Sequence, residues 1–192
     1  MDEPRQVLFE HIRRVVSVDR RAQTLLAERT TVEHFARHTD ICRGGQTVRK
    51  MYFLTAGLTK SSCYDEQGRE HILSFAYEDW WETDYLAFLR ETRTEITLRT
   101  LEATTAVAFT LSAYRTLCDE IPSLERFFLH KATRGFAASQ QRILSLMTEG
   151  PAVRYERLLA TQPQLVRRVS KTQLAAYLGV SRETLSRLRR EK

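Results

Sequence analysis

What most constrains this chain is a stretch near its end, Ser170 to Arg190, which reads as two short helices meeting at a sharp turn. Ser170 and Gln173 stand at capping-box spacing, so each side chain can satisfy an orphan amide of the first helical turn, worth about 1 kcal/mol. Leu174 and Leu178 lie one turn apart on a single face, and the small Ala175 lets a second helix cross closely. Gly179 takes the positive φ of the turn at no steric cost. Val180 fills the angle between the helices, Ser181 caps the second one, and Leu185 and Leu188 form its buried side. Such a pattern is a helix-turn-helix.

The outward side of the second helix carries Arg182, Glu183, Ser186, Arg187 and Arg190. Arg can donate two bonds to guanine O6 and N7, and Glu can accept from cytosine N4, each good contact discriminating by about 1–3 kcal/mol. Arg182, Glu183, Ser186 and Arg187 are therefore the expected base readers. Ser170, Lys171 and Thr172, where the first helix crosses the backbone, join Arg189 and Arg190 as expected phosphate contacts, with Arg167 and Arg168 adding to the positive field. Charge supports this. From Pro151 onward ten basic residues face three acidic ones, a surplus of +7 in a chain whose total is +6, so the remainder is close to neutral.

Upstream the texture differs. Pro4 to Val16 has apolar residues at helical spacing and Asp19 to Arg29 adds a second helical piece, but from Thr31 to Ser112 short β-rich runs alternate with turn signals. Arg43-Gly44-Gly45-Gln46, Ala56-Gly57 and Asp65-Glu66-Gln67-Gly68 mark the turns. Many short strands at regular spacing suggest a barrel or roll. Hairpins pairing Phe53 with Thr59 and Tyr64 with Ile72 are expected, with 96–101 and 105–111 as closing strands. Adjacent Trp80 and Trp81 should point to opposite faces. After Ser112 the period is helical again: a short piece over 113–119, then a helix from about Ser123 to Thr148, opened by Pro122 and stopped by Glu149-Gly150-Pro151. Leu124, Phe127, Phe128, Lys131 and Phe136 are its expected dimer-contact residues, and Gly135 suggests a bend or a close crossing. The expected domains are 1–122, 123–149 and 150–192.

The three cysteines, Cys42, Cys63 and Cys118, are scattered and odd in number, which fits structural thiols of a cytoplasmic protein. No apolar run is long enough to span a membrane, and the charged start lacks a signal core, so neither export nor membrane insertion is expected. Nucleophile elbows, phosphate loops, zinc-binding helices and His-x-His metal spacings are missing, so neither catalytic residues nor a metal site is expected.

The segment Ser181-Arg182-Glu183-Thr184-Leu185-Ser186-Arg187 resembles the recognition helix of the Crp/Fnr transcription regulators. Tyr52 to Leu58 and Asp65 to Phe75 are similar to the β-roll of their cyclic-nucleotide-binding domain. The resemblance implies an α+β chain: an N-terminal β-roll (a double-stranded β-helix) with flanking helices, a long dimerisation helix, and a C-terminal winged-helix-like helix-turn-helix. It implies a sequence-specific regulator that binds an inverted-repeat operator as a homodimer, with double-stranded DNA, RNA polymerase and a small-molecule effector as partners. In cyclic-AMP-binding members a Gly-Glu-Leu element and an Arg-Ser/Thr-Ala element hold the nucleotide. Here they fall on Glu82-Thr83-Asp84 and Arg93-Thr94-Glu95, so the effector pocket is expected at Glu82, Thr83, Arg93 and Thr94, in degenerate form. Cyclic nucleotide is the cofactor the family suggests, and these substitutions weigh against it. Haem would need axial ligands such as His34, His38 or Cys42. The chain stops after the recognition helix, so the wing is expected to be absent or replaced near 166–169. Two other readings stand beside this one: a ligand-sensing roll acting through a protein partner, and a cupin-like enzyme.

Overall fold

A computed structural model of the chain describes residues 2–190, with side chains described as far as Leu188. Two helices come first, α1 (Glu3–Arg13) and α2 (Arg20–Arg29), each started by an aspartate cap: Asp2 accepts from the Arg5 amide and Asp19 from the Ala22 amide. Strands follow in short runs, β1 (Thr30–Phe35), β2 (Asp40–Cys42), β3 (Lys50–Ala56), β4 (Thr59–Tyr64), β5 (Glu70–Ala76) and β6 (Trp81–Glu82). After α3 (Tyr85–Arg90) come β7 (Thr97–Thr100) and β8 (Thr104–Thr110). The strands build two four-stranded sheets, ordered β1-β8-β3-β6 and β2-β7-β4-β5. This is the expected roll, and the chain has the expected α+β class.

Period-two alternation explains where the cores sit. Along β3, Tyr52 and Leu54 face the interior of the roll, where they meet Ala106 and Ala108 of β8 and Leu98 of β7. Met51 and Phe53 point the other way and pack with Val107 and Phe109 against Leu8 and Ile12 of α1. The central strand is thus buried on both faces.

One expected hairpin is not formed. β3 and β4 lie in different sheets, so Phe53 and Thr59 are not partners; β3 instead pairs antiparallel with β8, Phe53 opposite Val107, and with β6, Phe53 opposite Trp81. Gly57 sends the chain from one sheet to the other at φ +101°, and a Cβ there would lie 2.5–2.7 Å from Thr104 and the Ala103 carbonyl. β4 and β5 are neighbours, as expected of a hairpin, and the Asp65 carboxylate organises their turn by accepting from the Gln67 and Arg69 amides.

The helical half holds α4 (Leu111–Glu120), α5 (Pro122–Thr148), α6 (Pro151–Thr161), α7 (Pro163–Arg168), α8 (Lys171–Leu178) and α9 (Arg182–Arg190). α5 runs unbroken through Gly135, where a Cβ would meet no other segment among the described residues within 4 Å. The expected replacement wing near 166–169 is not a strand: Pro163 opens a helical turn with its φ already fixed, and Leu165, 1% exposed, anchors it.

By internal contacts the chain forms two compact units, one of residues 1–61 and 76–132, the other of residues 62–75 and 133–192. In the first, Leu124, Phe127 and Phe128 of α5 join the core beside Trp81, whose ring lies 5.9 Å from Phe127 and 5.2 Å from Phe128. Trp80 turns outward against Tyr77, so the two tryptophans do take opposite faces. In the second, Tyr155, Leu158, Leu165, Leu174, Leu178 and Leu185 are buried together with the small Ala175.

Candidate functional site

The helix-turn-helix forms as its local signals dictate. Ser170 Oγ accepts from the Gln173 amide at 3.2 Å while Gln173 Oε1 accepts from the Ser170 amide at 3.1 Å, a complete capping box. Gly179 ends α8 at φ +68°, and the Val180 amide returns to the Ala175 carbonyl. Ser181 Oγ then accepts from the Thr184 amide at 3.1 Å and starts α9. Leu185, fully buried, locks α9 in place and turns its other side outward.

On that outer side Arg182, Glu183, Ser186 and Arg187 line one open depression. The four expected base readers are brought together. Glu183 sits in the first turn of α9, where its own amide and the Ser181 hydroxyl hold its carboxyl below the usual range. It is therefore a fixed acceptor flanked by arginines. Lys171 and Thr172 are exposed at the start of α8. Ser170 spends its hydroxyl and amide on the capping box, so its first task is structural. The side chains of Arg189 and Arg190, the remaining expected phosphate contacts, lie outside the described residues.

Two residues that the sequence pattern left unmarked hold the turn. The last carbonyls of a helix lack intrahelical donors and carry the negative end of its dipole. Arg154 of α6 donates Nε and Nη2 to the Leu178 carbonyl at 3.2 and 3.0 Å, and its Nη1 to the Glu149 carbonyl. Arg142 of α5 donates Nη2 to the Tyr177 carbonyl at 2.8 Å. Isolated arginines on amphipathic helices give no sequence signal for this role.

The effector-pocket residues tell a different story. Glu82 is buried and accepts from Ser61 Oγ at 3.0 Å, while Thr83 Oγ1 donates to the Lys50 carbonyl at 3.1 Å. Thr94 Oγ1 donates to Asp84 Oδ2 at 2.6 Å, and the other oxygen of Asp84 caps α3 by accepting from the Ala87 amide. Arg93 is exposed and paired through its backbone with Thr47. Of the four, only Thr83 and Thr94 line the cavity that remains, with Asp84, Cys42, Lys50, Tyr52 and Leu98 beside them; its volume is about 20 Å³, room for about one water molecule. Drug-sized ligands occupy roughly 300–1,000 Å³. Burial pushes the Cys42 thiol and the Tyr52 phenol up, so both keep their protons. Of the residues that haem would need, His34 has its Nδ1 3.0 Å from Thr105 Oγ1, and among the described residues no group of three or more His, Cys, Asp or Glu could hold a metal ion. No helix among them is long and apolar enough to cross a membrane.

Of the expected dimer-contact residues, Leu124 and Phe127 are 0% exposed and Phe128 6%, so all three are spent on the core of their own chain. Lys131 lies 5.4 Å from the Phe127 ring. Phe136 is 65% exposed, and it belongs to a series the sequence reading did not isolate: Leu129, Phe136 and Ile143 recur every seven residues and all are open. Ala132, Ser139 and Leu146 fall at the alternate heptad positions. From Ala132 to Gln141 every residue of α5 is exposed.

Residues 32–120 match the family model of the cyclic nucleotide-binding domain. Among solved structures the chain is similar to the c-di-GMP-responsive global regulator CLP of Xanthomonas campestris, with 17% identity, 90% of this chain and 91% of that one covered, and a TM-score of 0.73. It is similar also to the catabolite activator protein of Thermus thermophilus, with 18% identity, coverages of 91% and 84%, and a TM-score of 0.57. A protein from Eubacterium rectale assigned to the Crp/Fnr transcription regulators shares 15% identity over 91% of this chain and 83% of its own, with a TM-score of 0.71. None of the curated protein sequences matches. The structural likeness shows that the chain has the fold of these regulators, a roll followed by a long helix and a helix-turn-helix.

Proposed function

We propose that the protein is a sequence-specific DNA-binding regulator of transcription that acts as a homodimer, with residues 1–122 as a sensor-like roll, 123–149 as the dimerisation helix and 150–192 as the DNA-binding head. The observation that carries this reading is the convergence of Arg182, Glu183, Ser186 and Arg187 on one open face of a helix that is locked by Leu185. Two such helices related by a twofold axis enter successive major grooves about 34 Å apart, so the operator is an inverted repeat. Lys171 and Thr172 supply contacts to the phosphates, and Arg167 and Arg168 add a field that salt screens. RNA polymerase is the partner such a regulator acts on, and the cytoplasm is its compartment.

Selection from randomised DNA is expected to enrich an inverted repeat. Arg187→Ala should then lose about 1–3 kcal/mol and relax the preference at one base position in each half-site, whereas Lys171→Ala should weaken binding to all sequences alike and lower the salt slope by about one. Selection that enriches nothing overturns the reading.

The roll is a family sensor whose own side chains fill the pocket, and we read it as insensitive to cyclic nucleotides. Cyclic AMP does not fit a space of about 20 Å³, and the c-di-GMP to which CLP responds is larger still. Millimolar cyclic AMP is expected to leave the melting temperature unchanged. Binding at 100 times its dissociation constant would instead stabilise the fold by about 2.7 kcal/mol, a shift that contradicts the filled pocket.

A further inference from the structure

Arg142 does more than cap α8. Its Nη2 donates to the Tyr177 carbonyl at 2.8 Å and also to the Ile72 carbonyl of β5 at 3.1 Å. The guanidinium carbon lies 3.8 Å from the centre of the Tyr177 ring, and that ring is 5.2 Å from the ring of Phe75 on the same strand. One planar cation therefore gathers three segments far apart in sequence: β5, the dimerisation helix and the first helix of the helix-turn-helix. Arg suits this place because its flat, weakly hydrated fork can stack on an aromatic ring and donate in its own plane at once, which Lys cannot do. Arg154 provides the contrast, since the carbonyls it caps, Leu178 and Glu149, both belong to the helical segments.

We infer that Arg142 is a positioning residue, a latch that ties the β4–β5 hairpin to the helix-turn-helix and holds the recognition helix in its DNA-binding orientation. The inference rests on the DNA-binding reading for its consequence but not for its geometry. With the latch closed, the base-reading face of α9 is open. Releasing it frees the head to sample orientations that must be given up again on binding, which lowers affinity without removing any DNA contact.

The experiment compares the full-length protein with its Arg142→Ala, Arg142→Lys and Arg154→Ala variants. Amide hydrogen exchange is followed without DNA, and operator affinity is measured on the selected site. Arg142→Ala is expected to speed exchange over residues 70–76 and 171–178 together, by about tenfold, and to weaken operator binding by about tenfold. Strand β8 should be unaffected. Arg142→Lys should fail to restore either property, and Arg154→Ala should loosen α8 while leaving the hairpin as it was. If Arg142→Ala loosens α8 alone, Arg142 is a helix cap and the latch is wrong. If both segments loosen and operator affinity stays the same, the positioning role is wrong. Should the unmodified protein select no DNA sequence, the DNA-binding reading and the positioning role fail together, while the exchange data still decide whether the hairpin is tied to the head.

Discussion

Replacing Phe136 and Ile143 together by Glu is expected to leave the protein monomeric at micromolar concentration and to weaken operator binding by at least about a hundredfold, because two linked heads gain roughly 10²–10⁴ over one. The argument starts from what the chain leaves bare. Leu129, Phe136 and Ile143 are 66%, 65% and 57% exposed, and they fall on one seam of a helix whose residues from Ala132 to Gln141 touch too little of their own chain to be covered. A period of seven keeps such a seam facing a partner helix as the two coil about each other. On the homodimer proposed above, the partner that carries the complementary seam is a second copy. Small residues alternate with large ones along it, Ala132 and Ser139 between Leu129, Phe136 and Ile143, and Gly135 adds no bulk beside them, so two copies can approach closely. Four carboxylates placed in that seam would repel one another and would each lose hydration. Light scattering reads the mass, and circular dichroism checks that helix content is otherwise kept. A variant that stays dimeric would move the interface elsewhere.

Phe127→Ala should have the opposite character: no change in oligomeric state at low temperature, but a loss of about 3–5 kcal/mol of stability. Phe127 is fully buried, with the rings of Phe128, Trp81 and His11 at 5.4, 5.9 and 5.9 Å. Truncation leaves a cavity that stiff aromatic neighbours cannot close. Burial also drives the His11 pKa down to about 4, so the ring stays neutral and packs as an aromatic. For a chain of this size the melting temperature should fall by about 6–20 °C. Phe136→Ala, on the same helix, should cost the folded protomer less than about 0.5 kcal/mol. A similar loss for both would mean that the exposed residue is covered within the protomer after all.

Those two phenylalanines show what could be read beforehand and what could not. Both lie on a helix whose ends, near Pro122 and Thr148, were plain from proline, glycine and apolar period, but its pattern could not say which turns the roll would cover. The helix-turn-helix was legible almost residue by residue, because caps, the positive φ of Gly179 and the apolar pairs are all local. The roll was legible as a texture and not as a pairing. Ala56-Gly57 carries an ordinary hairpin signal, yet the tight approach to Thr104 that makes Gly57 switch sheets is a contact across the fold. Likewise, comparison with the nucleotide-binding pattern marked Thr83 and Thr94 as pocket residues. That Thr94 would be taken up by Asp84, and the pocket filled, depends on side chains meeting across a turn.

The unit that holds the helix-turn-helix is not a continuous length of chain, since residues 62–75 belong to it although 57 residues separate them from Thr133. A fragment beginning at Thr133 would keep every helix of the head and lose Phe75 and the Ile72 carbonyl, leaving one side of Tyr177 bare to water. The two pieces of this unit must find each other only after the intervening loop has closed, which delays the head until much of the chain has been synthesised and folded. The helix-turn-helix end of the molecule is in this sense assembled last and dissected poorly. Excising it to study DNA binding in isolation would remove part of what shapes it.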